Sequence, residues 1–319
     1  MIEQLKDKVL SGDYITRENA LSLQGIELEV LCNAANELRI HFCGNGFDIC
    51  TIINGKSGRC TEDCKYCAQS AHYPAEIEEY PLLDMDLMVK QAVYNYRKAI
   101  LRYSVVTSGR RLTDAEVDEM CANYLSIREI CPISLCASHG LLSYEQFVKL
   151  KAAGVTRYHN NLETSRHFFN TVCTTHTFEE KIKTIKAAQC AGLVVCSGGI
   201  MGLGETMEDR IDMALELSGL GIKSIPINIL NPIKGTPFEK RPPLKNDEVR
   251  RIVAIYRFLL PDAALRLAGG RGLLPDKGRS VFCSGANAAI SGDMLTTSGI
   301  SINDDMKMLS ELGFEVRKL

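Results

Sequence analysis

Short apolar runs and amphipathic stretches of helical length take turns along most of this sequence. FDICTII comes first. RYSVVTSG then precedes TDAEVDEMCANYLSI, PISLCASHG precedes SYEQFVKLKAAG, and VTRYHNN precedes HTFEEKIKTIKAAQCAG. LVVCSGGI precedes TMEDRIDMALELSGLG, IKSIPINIL precedes KNDEVRRIVAIYRFLLP, and ALRLAGG and SVFCSGA supply two more short runs. Each run reads as a buried strand and each stretch as a crossover helix, so the pattern predicts a parallel sheet. Eight strands in 319 residues favour a closed (β/α)8 barrel of the TIM type over an open doubly wound sheet, whose dinucleotide fingerprint is missing. In such a barrel the carboxyl ends of all strands share one mouth, however distant they are in sequence.

Three segments are expected. Residues 1–40 form a helical extension, with Leu28, Leu31, Ala35 and Leu38 on one apolar stripe; residues 41–300 form the barrel, and residues 301–319 a helical tail. Composition is that of ordinary globular material, 45% hydrophobic and 24% charged. A formal net charge of -2 gives no electrostatic case for a nucleic-acid partner. The opening MIEQLKDKVLSGDY carries charges where a signal peptide needs an apolar run, and no segment approaches the roughly 20 apolar residues of a membrane span. The expectation is a soluble cytoplasmic protein in which the thirteen cysteines are reduced thiols, some of them metal ligands.

The sharpest motif is CTEDCKYC, with Cys60, Cys64 and Cys67 in a three-then-two spacing. Three neighbouring thiolates can hold three irons of a cubane and leave the fourth iron open to chelate a small molecule. A zinc knot is the other reading, with His72 as fourth ligand. Further on, CSGGIMGLGET runs from the end of a predicted strand into a predicted helix. Gly198, Gly199, Gly202 and Gly204 would let backbone approach a ligand, and Glu205 stands near a helix start, where a carboxylate is favourable.

This spacing, with the aromatic Tyr66 just before the last cysteine, resembles the signature of the radical S-adenosylmethionine superfamily. The resemblance implies a site-differentiated 4Fe-4S cluster on Cys60, Cys64 and Cys67. An electron from it splits S-adenosylmethionine into methionine and a 5'-deoxyadenosyl radical that takes hydrogen from a substrate carbon. It places Tyr66 beside the adenine, and Gly198, Gly199, Gly202 and Glu205 around the cofactor. An ordinary packed tyrosine and a tight turn are the plainer readings of the same residues.

Within the superfamily, GRCTEDCKYCAQSAHY, YHNNLETS, VCSGGIMGLGET, SIPINIL, KGTP, RLAGGR and GAN resemble, in order, segments of the biotin synthases, across residues 40 to 290. That resemblance implies a radical enzyme, a sulfurtransferase, that inserts sulfur between C6 and C9 of dethiobiotin. It implies a homodimer, a low-potential electron donor such as flavodoxin or ferredoxin, and clusters supplied by iron–sulfur assembly machinery. Asn161 and Asn228 match positions that bind the ureido group of the substrate, and Glu163 stands where the family has an aspartate on the cofactor ribose.

A second cluster, which donates the sulfur, is held in the family by three cysteines and an arginine. Those positions fall at Ser104, Cys136, Cys196 and Arg266, so a two-iron two-sulfur unit is put in doubt at Ser104. With SVFCSGA as the eighth strand, Cys283 becomes the replacement thiol, Cys131 being a substitute. A second four-iron cluster bearing an extra sulfide is then expected on Cys136, Cys196 and Cys283, with Arg266 as ligand or support. Burial as small apolar side chains is the alternative for the cysteines, and a buried salt bridge for Arg266. Cys32, Cys43, Cys50, Cys121, Cys173 and Cys190 read as structural. Two other functions stay open: a related radical enzyme acting on another small molecule, and a noncatalytic zinc-binding module.

Overall fold

The computed structural model describes residues 1–292, 294–295, 297 and 299–319. Three helices come first: α1 (Ile2–Leu10), α2 (Arg17–Ser22) and α3 (Leu28–Cys43). Leu31, Ala35 and Leu38 of α3 are fully buried, which realises the apolar stripe read from the sequence.

The barrel begins with β1 (Gly46–Lys56), and the long loop after it leads into α4 (Met85–Arg97). The alternation continues through β2 (Arg102–Thr107), α5 (Asp114–Ile130), β3 (Ser134–Ser138), α6 (Tyr144–Ala152) and β4 (Val155–His159). Next come α7 (Phe169–Val172), α8 (Phe178–Cys190), β5 (Val194–Cys196), β6 (Gly199–Met201), α9 (Met207–Gly219), β7 (Ser224–Ile229) and α10 (Asn246–Leu259). The chain ends with β8 (Ala264–Leu267), α11 (Arg279–Phe282), β9 (Ala288–Ser291), α12 (Ile302–Glu311) and β10 (Glu315–Val316). All the strand pairs are parallel, and β9 returns to β1 with Asp48 opposite Ala288 and Cys50 opposite Ile290, closing eight wall positions into a barrel.

Local chemistry fixes where the helices start. Thr113, Ser143, Thr177 and Thr206 each accept the backbone N–H three residues on, while Glu116, Gln146, Glu180 and Asp209 reach back to the cap. Each such box satisfies two end donors that a strand-to-helix turn would otherwise leave bare. The strands alternate faces. Phe47, Ile49, Tyr103 and Val105 are buried in the apolar core, whereas Cys50, Ile52, Arg102 and Ser104 line the interior cavity.

Two strand assignments change. SVFCSGA is not a strand: Arg279–Phe282 is helical, and the eighth wall position is Ala288–Ser291. Gly285 has φ of +117°, and its carbonyl accepts from Arg257 Nε at 2.9 Å and Nη2 at 2.8 Å, holding this stretch in a turn ahead of the strand. LVVCSGGI is one wall position broken in two, because Gly198 lies so close to the Pro226 carbonyl that a Cβ would overlap it. The last segment is more than helical, since β10 pairs with the start of β1. Among the described residues, no helix is long and apolar enough to cross a membrane.

Candidate active site

The barrel holds a cavity of about 420 Å³ whose wall includes Cys60, Cys64, Tyr66 and Cys67 at the mouth. These four lie on the loop after β1, pinned along its length. Cys60 N–H donates to Gln69 O at 2.6 Å, Cys67 N–H to Cys64 O at 3.0 Å, and Lys65 Nζ to Thr171 O at 2.7 Å. Tyr73 Oη donates to Asp63 O at 2.5 Å, and the Asp63 carboxylate accepts from the backbone of Thr174 and Thr175. Tyr66 packs beside Val172, Leu203, Leu230 and Phe238, and burial together with the Glu163 carboxylate pushes its phenol far above the ordinary range. His72 does not complete a four-ligand knot: its Nε2 lies 3.0 Å from Thr61 O.

Deeper down, a row of inward-facing side chains supplies three thiols: Cys50 on β1, Cys136 on β3 and Cys196 on β5. Ser104 lies between the first two, level with Ile52 on one side and Cys136 on the other. Arg266 donates to Cys50 Sγ at 3.2 Å and to Asp48 Oδ1 at 2.7 Å. Asp48 also accepts from Arg102 Nε at 3.0 Å, and Arg157 Nη1 donates to Ser224 Oγ at 3.2 Å. Three guanidiniums against one carboxylate therefore form a cationic floor. Burial raises the thiols of Cys50 and Cys136, that of Cys136 to about 12. At Cys196 burial is outweighed by His159 and by the charges of Arg266 and Arg157, which bring the thiol down to about 6.

Cys283 is absent from this row. It is exposed, caps α11, and precedes β9, which puts it at the amino end of the barrel, opposite the mouth. Cys50, which the sequence left as structural, takes its place. The missed signal was parity: in FDICTII, Cys50 shares a face with Asp48 and Ile52.

The glycine-rich segment supports the wall more than it forms it. Gly198, Gly199, Gly202 and Glu205 are not in the cavity lining, whereas Ile200 is. A Cβ at Gly199 would meet the Glu163 carbonyl and the Met213 sulfur, so strand packing accounts for that glycine. Glu205 Oε1 accepts from Gly202 N at 2.8 Å and Arg210 Nε at 2.6 Å, which locks the turn. Asn161 and Asn228 do line the cavity, and each has committed part of its amide: Asn161 Oδ1 to Gly198 N at 3.1 Å, Asn228 Nδ2 to Gly199 O and Oδ1 to Gly269 N. Each keeps an N–H for a ligand. Glu163 sits at φ +71°, in the left-handed region. Three buried atoms of the lining residues lack a hydrogen-bond partner among the described residues: Glu163 Oε2, Asn160 Oδ1 and Arg157 Nε. Such orphans mark where a polar ligand belongs, and the three thiols at the mouth are a donor set that suits an iron–sulfur cluster. Asn160 was not singled out from the sequence.

The fold and this thiol-lined mouth define a class, which sequence comparison names. Residues 56–217 match the radical SAM superfamily model, and residues 226–315 match the model of the biotin and thiamin synthesis associated domain. Over 99% of both chains, the sequence is 60% identical to the biotin synthase of Akkermansia muciniphila and 58% identical to that of Clostridium botulinum strain Alaska E43. The chain belongs to the biotin synthase family, whose members are radical enzymes using a 4Fe-4S cluster and S-adenosylmethionine. Among solved structures it is similar to methylornithine synthase (TM-score 0.84, 19% identity, 98% of this chain and 97% of that one). It is also similar to the FeFe-hydrogenase maturase HydG from Carboxydothermus hydrogenoformans (TM-score 0.82, 16% identity, 98% and 78%). At these identities the likeness speaks for the fold.

Proposed function

We propose that this chain converts dethiobiotin to biotin in the barrel cavity, where two sets of thiols would hold two iron–sulfur clusters. The observation that carries this reading is the pair of thiol sets on one cavity wall, Cys60, Cys64 and Cys67 at the mouth and Cys50, Cys136 and Cys196 beneath them. The upper set would hold the 4Fe-4S cluster. The lower set would hold the auxiliary cluster, a four-iron unit with an extra sulfide. When bound, these groups would supply a deoxyadenosyl radical and a sulfur atom for insertion.

The protein's own residues do the positioning. Asn161 and Asn228 use their remaining N–H groups on the ureido oxygen, and the orphan Asn160 Oδ1 is the acceptor for a ureido N–H. Glu163, beside Tyr66, would take the ribose hydroxyls of the cofactor, and Tyr66 and Ile200 would offer its adenine an apolar surface. Arg266, Arg102 and Arg157 balance the negative charge of a sulfide-rich cluster, and Asp48 orients two of them. In this reading residues 1–40 and 301–319 brace the barrel of residues 41–300. The enzyme is a homodimer that draws electrons from flavodoxin or ferredoxin at the mouth.

The test is strictly anaerobic incubation of the cluster-loaded protein with dethiobiotin, S-adenosylmethionine and a low-potential reductant, read by mass spectrometry. Biotin with one 5'-deoxyadenosine for each of the two carbon–hydrogen bonds broken is the expected result. Deoxyadenosine without biotin would transfer the reading to another small substrate, and neither product would overturn it.

A further inference from the structure

Behind the cysteine loop, on the segment joining α7 to α8, stands a second set of soft donors. Cys173 and His176 are three residues apart on a single turn, with Cys173 Sγ 3.2 Å from His176 Nδ1. The thiol of Cys64 reaches the same point, so the two sulfurs and the imidazole nitrogen all lie within 4.8 Å of one another. Among the described residues, no other three cysteine, histidine or acidic side chains converge so closely. Cys173 is 2% exposed and His176 6%. The surroundings hold the pair in place: Glu62 Oε2 is 2.6 Å from His176 Nδ1, Cys173 Sγ donates to Asp63 Oδ1 at 3.1 Å, and the Phe169 ring packs edge-on against the imidazole at 5.6 Å.

We propose that Cys64, Cys173 and His176 form a mononuclear site for a divalent cation of the zinc type, and that this site competes with the iron–sulfur cluster for Cys64. Two thiolates and an imidazole are a donor set that tetrahedral zinc, cobalt(II) and iron(II) accept, with Glu62 or water in the fourth position. Bonds of about 2.0–2.3 Å place tetrahedral ligand atoms roughly 3.3–3.8 Å apart, so the site closes by a small turn of the Cys64 side chain. The cation displaces the two thiol protons and needs no oxidant or reductant. A chain without its cluster then has two exclusive fates: Cys64 joins Cys60 and Cys67 on iron–sulfur, or it joins Cys173 and His176 on a single ion.

The metal binding stands without the cluster assignment; only the exclusion rests on it, and the experiment separates the two. Metal-free, fully reduced full-length protein is titrated anaerobically with cobalt(II), whose thiolate charge-transfer and visible d–d bands report a tetrahedral sulfur site. The expected result is a band set that Cys64→Ser and Cys173→Ser each weaken by more than about 100-fold, since loss of outer-shell partners alone costs 10–100-fold. Cys60→Ser, Cys67→Ser and Cys136→Ser retain it. Cluster assembly on Cys173→Ser checks that this variant folds. Bands retained in Cys173→Ser, or lost in Cys60→Ser and Cys67→Ser, overturn the site. In the second arm, protein preloaded with zinc is given iron and sulfide, and slow growth of the brown absorption in the wild type but not in Cys173→Ser is the expected outcome. Equal rates overturn the exclusion and leave the first arm to decide the site.

Discussion

Cys50 and Ser104 face one interior from neighbouring strands, and of the two only Cys50 offers a soft donor, next to Arg266. Cys50→Ala should therefore lower iron and sulfide by the content of one cluster and abolish biotin while S-adenosylmethionine cleavage persists. Cys283→Ala should leave metal content and both products unchanged, and elemental analysis beside product assay distinguishes the two variants. A different buried residue sets acid sensitivity. His139 is fully buried, with Thr107 Oγ1 3.1 Å from one ring nitrogen and Tyr124 Oη 2.9 Å from the other, and burial holds its imidazole down at about 3. The unfolded chain takes up that proton near pH ~6.5, whereas the folded chain does not until far lower. Its contribution is thus complete above ~6.5 and is lost as pH falls toward about 3, by about 1.4 kcal/mol per pH unit. His139→Gln should flatten that slope in urea unfolding of cluster-free protein between neutral pH and about pH 5.

Arg257 shows how one helix dictates the shape of a segment distant in sequence. Its guanidinium is fully buried on α10 and donates to the carbonyls of Gly285, Pro261 and Ala263 and to Asn287 Oδ1. Arg257→Ala strands several buried acceptors at ~1–3 kcal/mol each, so a loss of about 3 kcal/mol or more is expected in denaturant unfolding. Thr177→Ala, at the partly exposed cap of α8, should cost only about 1 kcal/mol and leave turnover intact. The crossover helices α5, α6, α8, α9 and α10 and seven of the wall positions could be read from the sequence because apolar periodicity is local, whereas α4 and the one-turn helices α7 and α11 were not read. The eighth could not: SVFCSGA and NAAIS are both short and apolar, and Arg257 and Gly285 decide which one enters the sheet. The same error displaced Cys283 into the site and left Cys50 out. Cys60, Cys64 and Cys67 were legible because one loop carries all three. The partnership of Cys173 and His176 with Cys64 was not, since more than a hundred residues separate them.

Across the whole molecule, a closed wall of parallel strands carries the cysteine loop at one end and is sealed at the other. Backbone exchange should reflect that division: amides of β1 to β4 exchange slowly in cluster-free protein, while those of residues 57–84, held largely by isolated contacts, exchange faster and slow on cluster loading. Hydrogen-exchange mass spectrometry on both forms checks this. The seal at the amino end is the ion set of Asp48, Arg102 and Arg266, with Leu319 N–H reaching Asp48 Oδ2 at 3.2 Å and β10 laid against the start of β1. With that floor shut, the barrel behaves as a vessel with a single neck. A group lodged against Cys50, Cys136 and Cys196 would go in first and come out last, and if it gave up an atom in each turnover, that atom could be renewed only after the neck had been cleared.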